Sequence, residues 1–166
     1  MKRLVLIALL LTTWVVPATA SDQPLTEADL VKRNGLVYAK FTDTPFTGKT
    51  INGLIHRNYK SGKLHGEQLT FFPNGQLEEK VTWDQNDQHG PYALYHENGE
   101  FYVKGQYHKD HGYRGGRVGV WSIYYPNGNL NSTTKYRNHE EHGPKKLFEK
   151  NGQLMALGPM RHGKKH

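Results

Sequence analysis

The side chains best suited to chemistry in this chain are its ten histidines, and their spacing decides what that chemistry could be. His108, Asp110 and His111 lie close enough together to share a metal ion, and so do His139 and His142. Metal sites draw a third or fourth ligand from rigid elements, whereas these groups fall between repeated segments, so no metal and no other cofactor is expected. His65, His89 and His142 each precede a glycine at the same place in a recurring pattern. One structural cause, a turn residue beside a required Gly, accounts for all three. Hydrolysis is no better served. The chain has no Cys and no Gly-x-Ser-x-Gly elbow. Ser61, Ser122 and Ser132 occupy repeat positions with no base assigned to them, and Glu78, Glu79 and Glu97 read as surface carboxylates. The residues point away from an enzyme.

What holds these side chains is a sentence written four times. His65-Gly66, His89-Gly90, Val118-Gly119 and His142-Gly143 precede Asn74-Gly75, Asn98-Gly99, Asn127-Gly128 and Asn151-Gly152 by a constant interval. Each Asn-Gly glycine is followed eight residues later by a large apolar residue, in turn Trp83, Tyr107, Tyr136 and Met160, and Tyr59 starts the series one unit earlier. The asparagines at 74, 98, 127 and 151 are spaced by 24, 29 and 24 residues, the longer interval holding an insert between Tyr107 and Val118. A fixed period with fixed landmarks defines a repeat architecture whose units pack on their neighbours.

Within a unit, runs such as Gln68–Phe72 and Trp121–Tyr125 combine aromatic and β-branched residues between turn residues, and so read as strands. Asn-Gly supplies the positive φ of a tight hairpin. The second strand alternates: Leu77, Val81 and Trp83, or Phe101, Val103 and Tyr107, fall on one face, with Glu78, Lys80 and Thr82 on the other. The expected fold is therefore all-β, an elongated single-layer antiparallel sheet of consecutive β-hairpins. One short helix is expected near 27–33, capped by Thr26 and stopped at Asn34-Gly35. Met155, Leu157 and Gly158-Pro159 break the alternation in the fourth unit, which reads as a terminal cap.

Lys2-Arg3, the apolar run Leu4–Val16 and Ala18-Thr19-Ala20 read as a cleavable signal peptide, with a cut after Ala20 and a periplasmic or secreted product. The divisions are then 1–20 for the signal peptide, 21–35 for a linker with the short helix, 36–160 for the hairpin repeats and 161–166 for a basic tail. Removing Lys2 and Arg3 with the leader leaves 20 basic against 15 acidic residues, a net charge of +5 that favours acidic partners or anionic membrane surfaces through long-range steering. Scattered basic residues on an exported chain exclude nucleic acid as the expected target.

Tyr125-Pro126-Asn127-Gly128-Asn129-Leu130 and Phe72-Pro73-Asn74-Gly75-Gln76-Leu77 resemble the MORN-repeat variant of bacterial YwqK-like antitoxin proteins. The stretches Leu30–Tyr38 and Thr42–Gly48 are similar to that family's opening segment. The resemblance covers roughly Leu30 to Met160. It implies a long twisted sheet of hairpins and a toxin-neutralising partner protein, here an exported immunity protein bound to a cognate toxin or effector. An envelope- or lipid-associated repeat scaffold without a toxin partner is the alternative, since MORN-type repeats are also discussed as membrane-binding elements. Partner contacts are expected from Trp121 and Tyr125, whose aromatic area carries little entropic cost, and from the insert with His108, Asp110, His111, Tyr113, Arg114 and Arg117.

Overall fold

The computed structural model describes residues 24–110, 113–137 and 139–158, with the backbone alone described at 110, 113 and 114. The expected signal peptide, the basic tail and His111 lie outside the described residues.

Asparagine-glycine pairs organise the chain from its first hairpin. A short 3-10 helix, Glu27–Asp29, leads into β1 (Leu30–Arg33) and β2 (Leu36–Ala39), a separate antiparallel pair. Thr26 caps the helix as expected, its N–H and Oγ1 donating to Asp29 Oδ2 over 2.9 and 2.7 Å. The helix expected through residue 33 is corrected: Leu30–Arg33 is a strand. Asn34 and Gly35 have φ of 49° and 80°, so they form a two-residue hairpin turn rather than a helix stop. A helix of two turns has no cooperative stability of its own, and Val31 and Val37 favour the pleated pairing that replaces it.

The other strands are β3 (Gly48–Asn52), β4 (Ile55–Lys60), β5 (Lys63–Leu64), β6 (Gly66–Phe71), β7 (Leu77–Asp84), β8 (Asp87–Tyr95), β9 (Phe101–Asp110), β10 (Tyr113–Tyr124), β11 (Leu130–Arg137), β12 (Glu140–Glu141), β13 (Lys146–Phe148) and β14 (Leu154–Leu157). They build one open antiparallel sheet in which neighbours in space are neighbours in sequence, with β5 and β12 pairing only with β4 and β11. This is the ribbon of consecutive hairpins that the repeats require. The described part of the insert is strand rather than loop. It lengthens β9 and β10 into a long hairpin, pairing Tyr113 with Asp110, Gly116 with His108 and Arg117 with Tyr107.

The tips differ in detail from the tight two-residue turn. At the first, Gly75 N–H donates to Phe72 O and Phe72 N–H to Gln76 O, both over 2.8 Å, so Pro73-Asn74-Gly75 is a three-residue loop. The same two bonds recur at His96, Tyr125 and Glu149. Only the glycines take positive φ, at 84°, 85°, 81° and 88°, and the asparagines are there for another reason given below. Two-residue turns with positive φ at both centres lie at the opposite ends of strands, at Ser61-Gly62 and Gln85-Asn86.

The His-Gly landmark also has a cross-strand meaning. Gly66 lies opposite Trp83, Gly90 opposite Tyr107 and Gly119 opposite Tyr136. The glycine and the later aromatic of the first three units are therefore partners across one hairpin, which locks their separation in sequence. At Gly90 and Gly119 the strand continues through a register shift, so these are bulges and not turns.

A second register shift beside every tip overturns the single apolar face. Phe71 pairs with Leu77, Tyr95 with Phe101, Tyr124 with Leu130 and Phe148 with Leu154, while their neighbours Thr70, Leu94, Ile123 and Leu147 pair with Glu79, Val103, Ser132 and Ala156. Paired residues share a face. Leu77 and Phe101 thus stand on the face opposite Val81 and Val103, because the extra residue of a bulge breaks the period of two. One face carries the row Gln68, Val81, Tyr92 and Gly105, with Trp121 laid over that glycine. The reverse carries Leu69, Lys80, Ala93, Lys104, Ser122, Thr133 and Lys146. Among the described residues the buried apolar side chains are Val81, Ala93 and Trp121.

Candidate binding surface

The ribbon is tied together at its tips by the asparagine side chains. In each unit the carboxamide oxygen accepts the N–H two residues on: Asn74 from Gln76, Asn98 from Glu100, Asn127 from Asn129 and Asn151 from Gln153, over 2.9 to 3.1 Å. The amide nitrogen then donates to the backbone of the following unit. Asn74 reaches Glu97 O at 3.5 Å, Asn98 reaches Pro126 O at 2.6 Å and Asn127 reaches Lys150 O at 3.0 Å. Each acceptor immediately precedes the next asparagine, so the residue type is fixed by a bond between units as well as by the turn. A second set of links lies beside it. His96 Nε2 donates to Tyr124 O over 3.1 Å and the Tyr125 hydroxyl to Phe148 O over 3.0 Å.

The middle of the sheet is held by an aromatic cluster. Trp121 stacks on Tyr92 with centroids 5.5 Å apart, meets Tyr107 edge-on at 5.0 Å and Tyr136 at 6.3 Å. Arg117 lies over the Trp121 ring at 4.5 Å and over Tyr136 at 5.5 Å, and donates from Nη1 to the Tyr136 hydroxyl over 3.2 Å. A guanidinium over aromatic faces adds a favourable electrostatic contribution to the packing. Tyr92 donates its hydroxyl to Glu79 Oε1 over 3.1 Å. Burial first, then the adjacent Glu79 charge, pushes the Tyr92 phenol above its usual range.

This geometry redistributes the residues expected to meet a partner. Trp121 is only 5 % exposed, so its ring is spent on the sheet, and Tyr125 is half-buried with its hydroxyl committed to Phe148. Arg117 joins the cluster from the base of the long hairpin. His108 packs against His89 at 5.0 Å. Asp110 and Tyr113 pair near the end of that hairpin and Arg114 follows them on β10. The sequence carries no sign of Tyr92's role, because the apolar alternation marks the second strand of each unit and Tyr92 lies on the first. Of the aromatics that recur in phase, Tyr107 and Tyr136 join Trp121, whereas Tyr59 packs on Phe46 at 5.7 Å.

One cluster of ionisable groups ties β7 to β9. Asp84 binds His65 Nδ1 at 3.2 Å and the Lys109 ammonium. The Lys109 hydrogen bond, followed by the Lys109 and His65 charges, holds the Asp84 carboxyl below its ordinary value. Lys109 N–H in turn donates to His89 Nδ1 over 3.3 Å. Among the described residues no three His, Asp or Glu side chains converge as metal ligands. Ser132 is buried and Ser61 sits in a turn, its N–H donating to Thr47 Oγ1. An open groove of about 1060 Å³ is lined by Glu27, Arg57, Tyr59, Gln68 and Trp83, and in it Arg57 is held by Glu27 and Gln68.

The fold and these surfaces define an open-sheet hairpin-repeat protein, built as a scaffold or binding element. Two of its segments, residues 64–85 and 117–138, match the model of the MORN repeat variant family, which is not a known enzyme family. They correspond to the first and third units, and the second and fourth carry the same tip bonds. A search of curated proteins finds no match.

Proposed function

We propose that the protein is an exported, non-catalytic binding protein of the immunity type, which neutralises a toxin or effector by direct contact. The observation that carries this reading is the ribbon itself: a long open sheet whose polar side chains are used to join units rather than to converge on a substrate. The signal-type leader and the likeness to YwqK-like antitoxins support delivery to the periplasm and a toxin as partner. A positive net charge suits an acidic partner surface and raises the association rate. Deleting the gene is expected to sensitise cells to an effector delivered by sibling cells, with restoration by the gene supplied in trans. Unchanged survival against every secreted effector of the strain contradicts the reading.

A second reading draws on the reverse face, where Lys80, Lys104 and Lys146 share one cross-strand row. Such a row fits an anionic envelope surface. Salt-sensitive co-sedimentation with vesicles of anionic phospholipid supports it, and no binding at low salt ends it.

A further inference from the structure

The two ends of the sheet are finished differently. At β3 the edge is closed by Leu25, which bridges Thr50 and accepts the Ile51 N–H over 3.0 Å. At β14 the sheet pairs with β13 on one side, and among the described residues no strand lies on the other. Leu154, Met155 and Leu157 are 54, 59 and 61 % exposed there. From Asn151 to Gly158 no residue is charged. Edge strands are usually blunted by charge, proline or a covering element, and this stretch contains neither of the first two. The tip ladder also runs out at this point. Asn151 turns its amide back to Glu149 Oε2 and Gln153 Oε1, at 3.5 and 3.4 Å, where the earlier asparagines reach a following unit. Gly158 N–H donates to Lys145 O over 2.6 Å, so backbone alternation directs the Leu157 N–H and C=O away from β13.

We propose that the β14 edge receives an extended segment of the partner protein as an added antiparallel strand, one with apolar residues at alternate positions and acidic residues between them. The main chain supplies affinity by strand addition, and the side chains supply choice. The apolar positions pack on Leu154, Met155 and Leu157. The acidic ones fall on the other face, where Lys145 is exposed one residue before Lys146, the partner of Leu157, and Lys150 is exposed at the adjoining tip. A second copy of this chain fits less well. It brings the same lysines together. The proposal rests on the protein-binding reading above and names the partner chemistry for it.

The test uses the full chain and a fluorescent, end-blocked peptide alternating valine with glutamate, beside a valine–lysine counterpart. The glutamate peptide binds saturably, and Leu157→Pro weakens it by about tenfold or more, because proline removes the outward N–H while leaving the bonds to β13. Leu157→Glu, which keeps the backbone intact, weakens it as well by like-charge repulsion. Equal binding by wild type and both variants, equal binding of the lysine peptide, or dimerisation through this edge with no peptide bound overturns the proposal. The two readings fail separately. An effector still neutralised by both variants sinks the edge and leaves the immunity reading standing, whereas peptide binding without any effector leaves the edge and sinks that reading.

Discussion

Asn98 performs two functions with one side chain: its oxygen closes the turn on Glu100 N–H and its nitrogen crosses to Pro126 O. Asn98→Ala removes both bonds and is expected to cost about 1–2 kcal/mol, at roughly 1 kcal/mol for each net hydrogen bond. Asn98→Asp keeps the acceptor and loses the donor, so denaturant unfolding should place it between wild type and alanine. Asp84 yields a pH prediction. Its folded pKa lies below the unfolded value near 3.9, so its bonds to Lys109 and His65 stabilise the fold above that value. They are lost as pH falls through the folded pKa. The difference in Tm between wild type and Asp84→Asn should be full at neutral pH and shrink toward zero on acidification; a constant difference contradicts this. Asn and Gly were legible in the sequence as landmarks. The amide bond between units was not, because it joins residues whose proximity only the sheet creates.

Hairpins are the elements, and glycine lets their faces close. Any side chain at Gly105 would enter the Trp121 ring, and overpacking of this kind costs about 1–3 kcal/mol. Gly105→Ala should therefore destabilise the protein in denaturant unfolding. In a Trp121→Leu background the same change should cost less, since sites in direct contact couple. Equal costs in both backgrounds would show that the ring does not rest on that glycine. The sequence made the strands plain through their alternation and misplaced two things. Leu30–Arg33 reads as helix until Asn34-Gly35 is taken as a two-residue hairpin, a role that the pair also fits. Leu77 and Phe101 read as core-facing because a bulge, which adds one residue and exchanges faces, leaves no mark in the hydrophobic pattern. The insert was misjudged for a related reason: its glycines and charges look like a loop, yet they continue the pairing of Tyr107 with Arg117 outward.

The sheet is quasi-one-dimensional, its main strand contacts among the described residues running within a unit or to the next one. That makes a strong prediction about length. Removing residues 75–98 joins Asn74 directly to Gly99, restores a complete tip and subtracts one unit. The product should keep its β-sheet circular dichroism and a cooperative, lower-melting transition. Removing one residue fewer moves every following side chain to the other face and should yield no cooperative fold. Surface residues were less legible than the fold, since the expected contact residues Trp121 and Tyr125 serve the sheet, while Leu154, Met155 and Leu157 lie exposed together on β14. On the function proposed above, this ribbon acts by occupying a partner rather than by performing a reaction. The most direct measurement titrates the purified chain against an effector whose activity it suppresses. Loss of activity that ends at a fixed molar ratio, with both chains recovered intact, is the predicted result. Inactivation of many effector molecules by each molecule of this chain is the result that contradicts it.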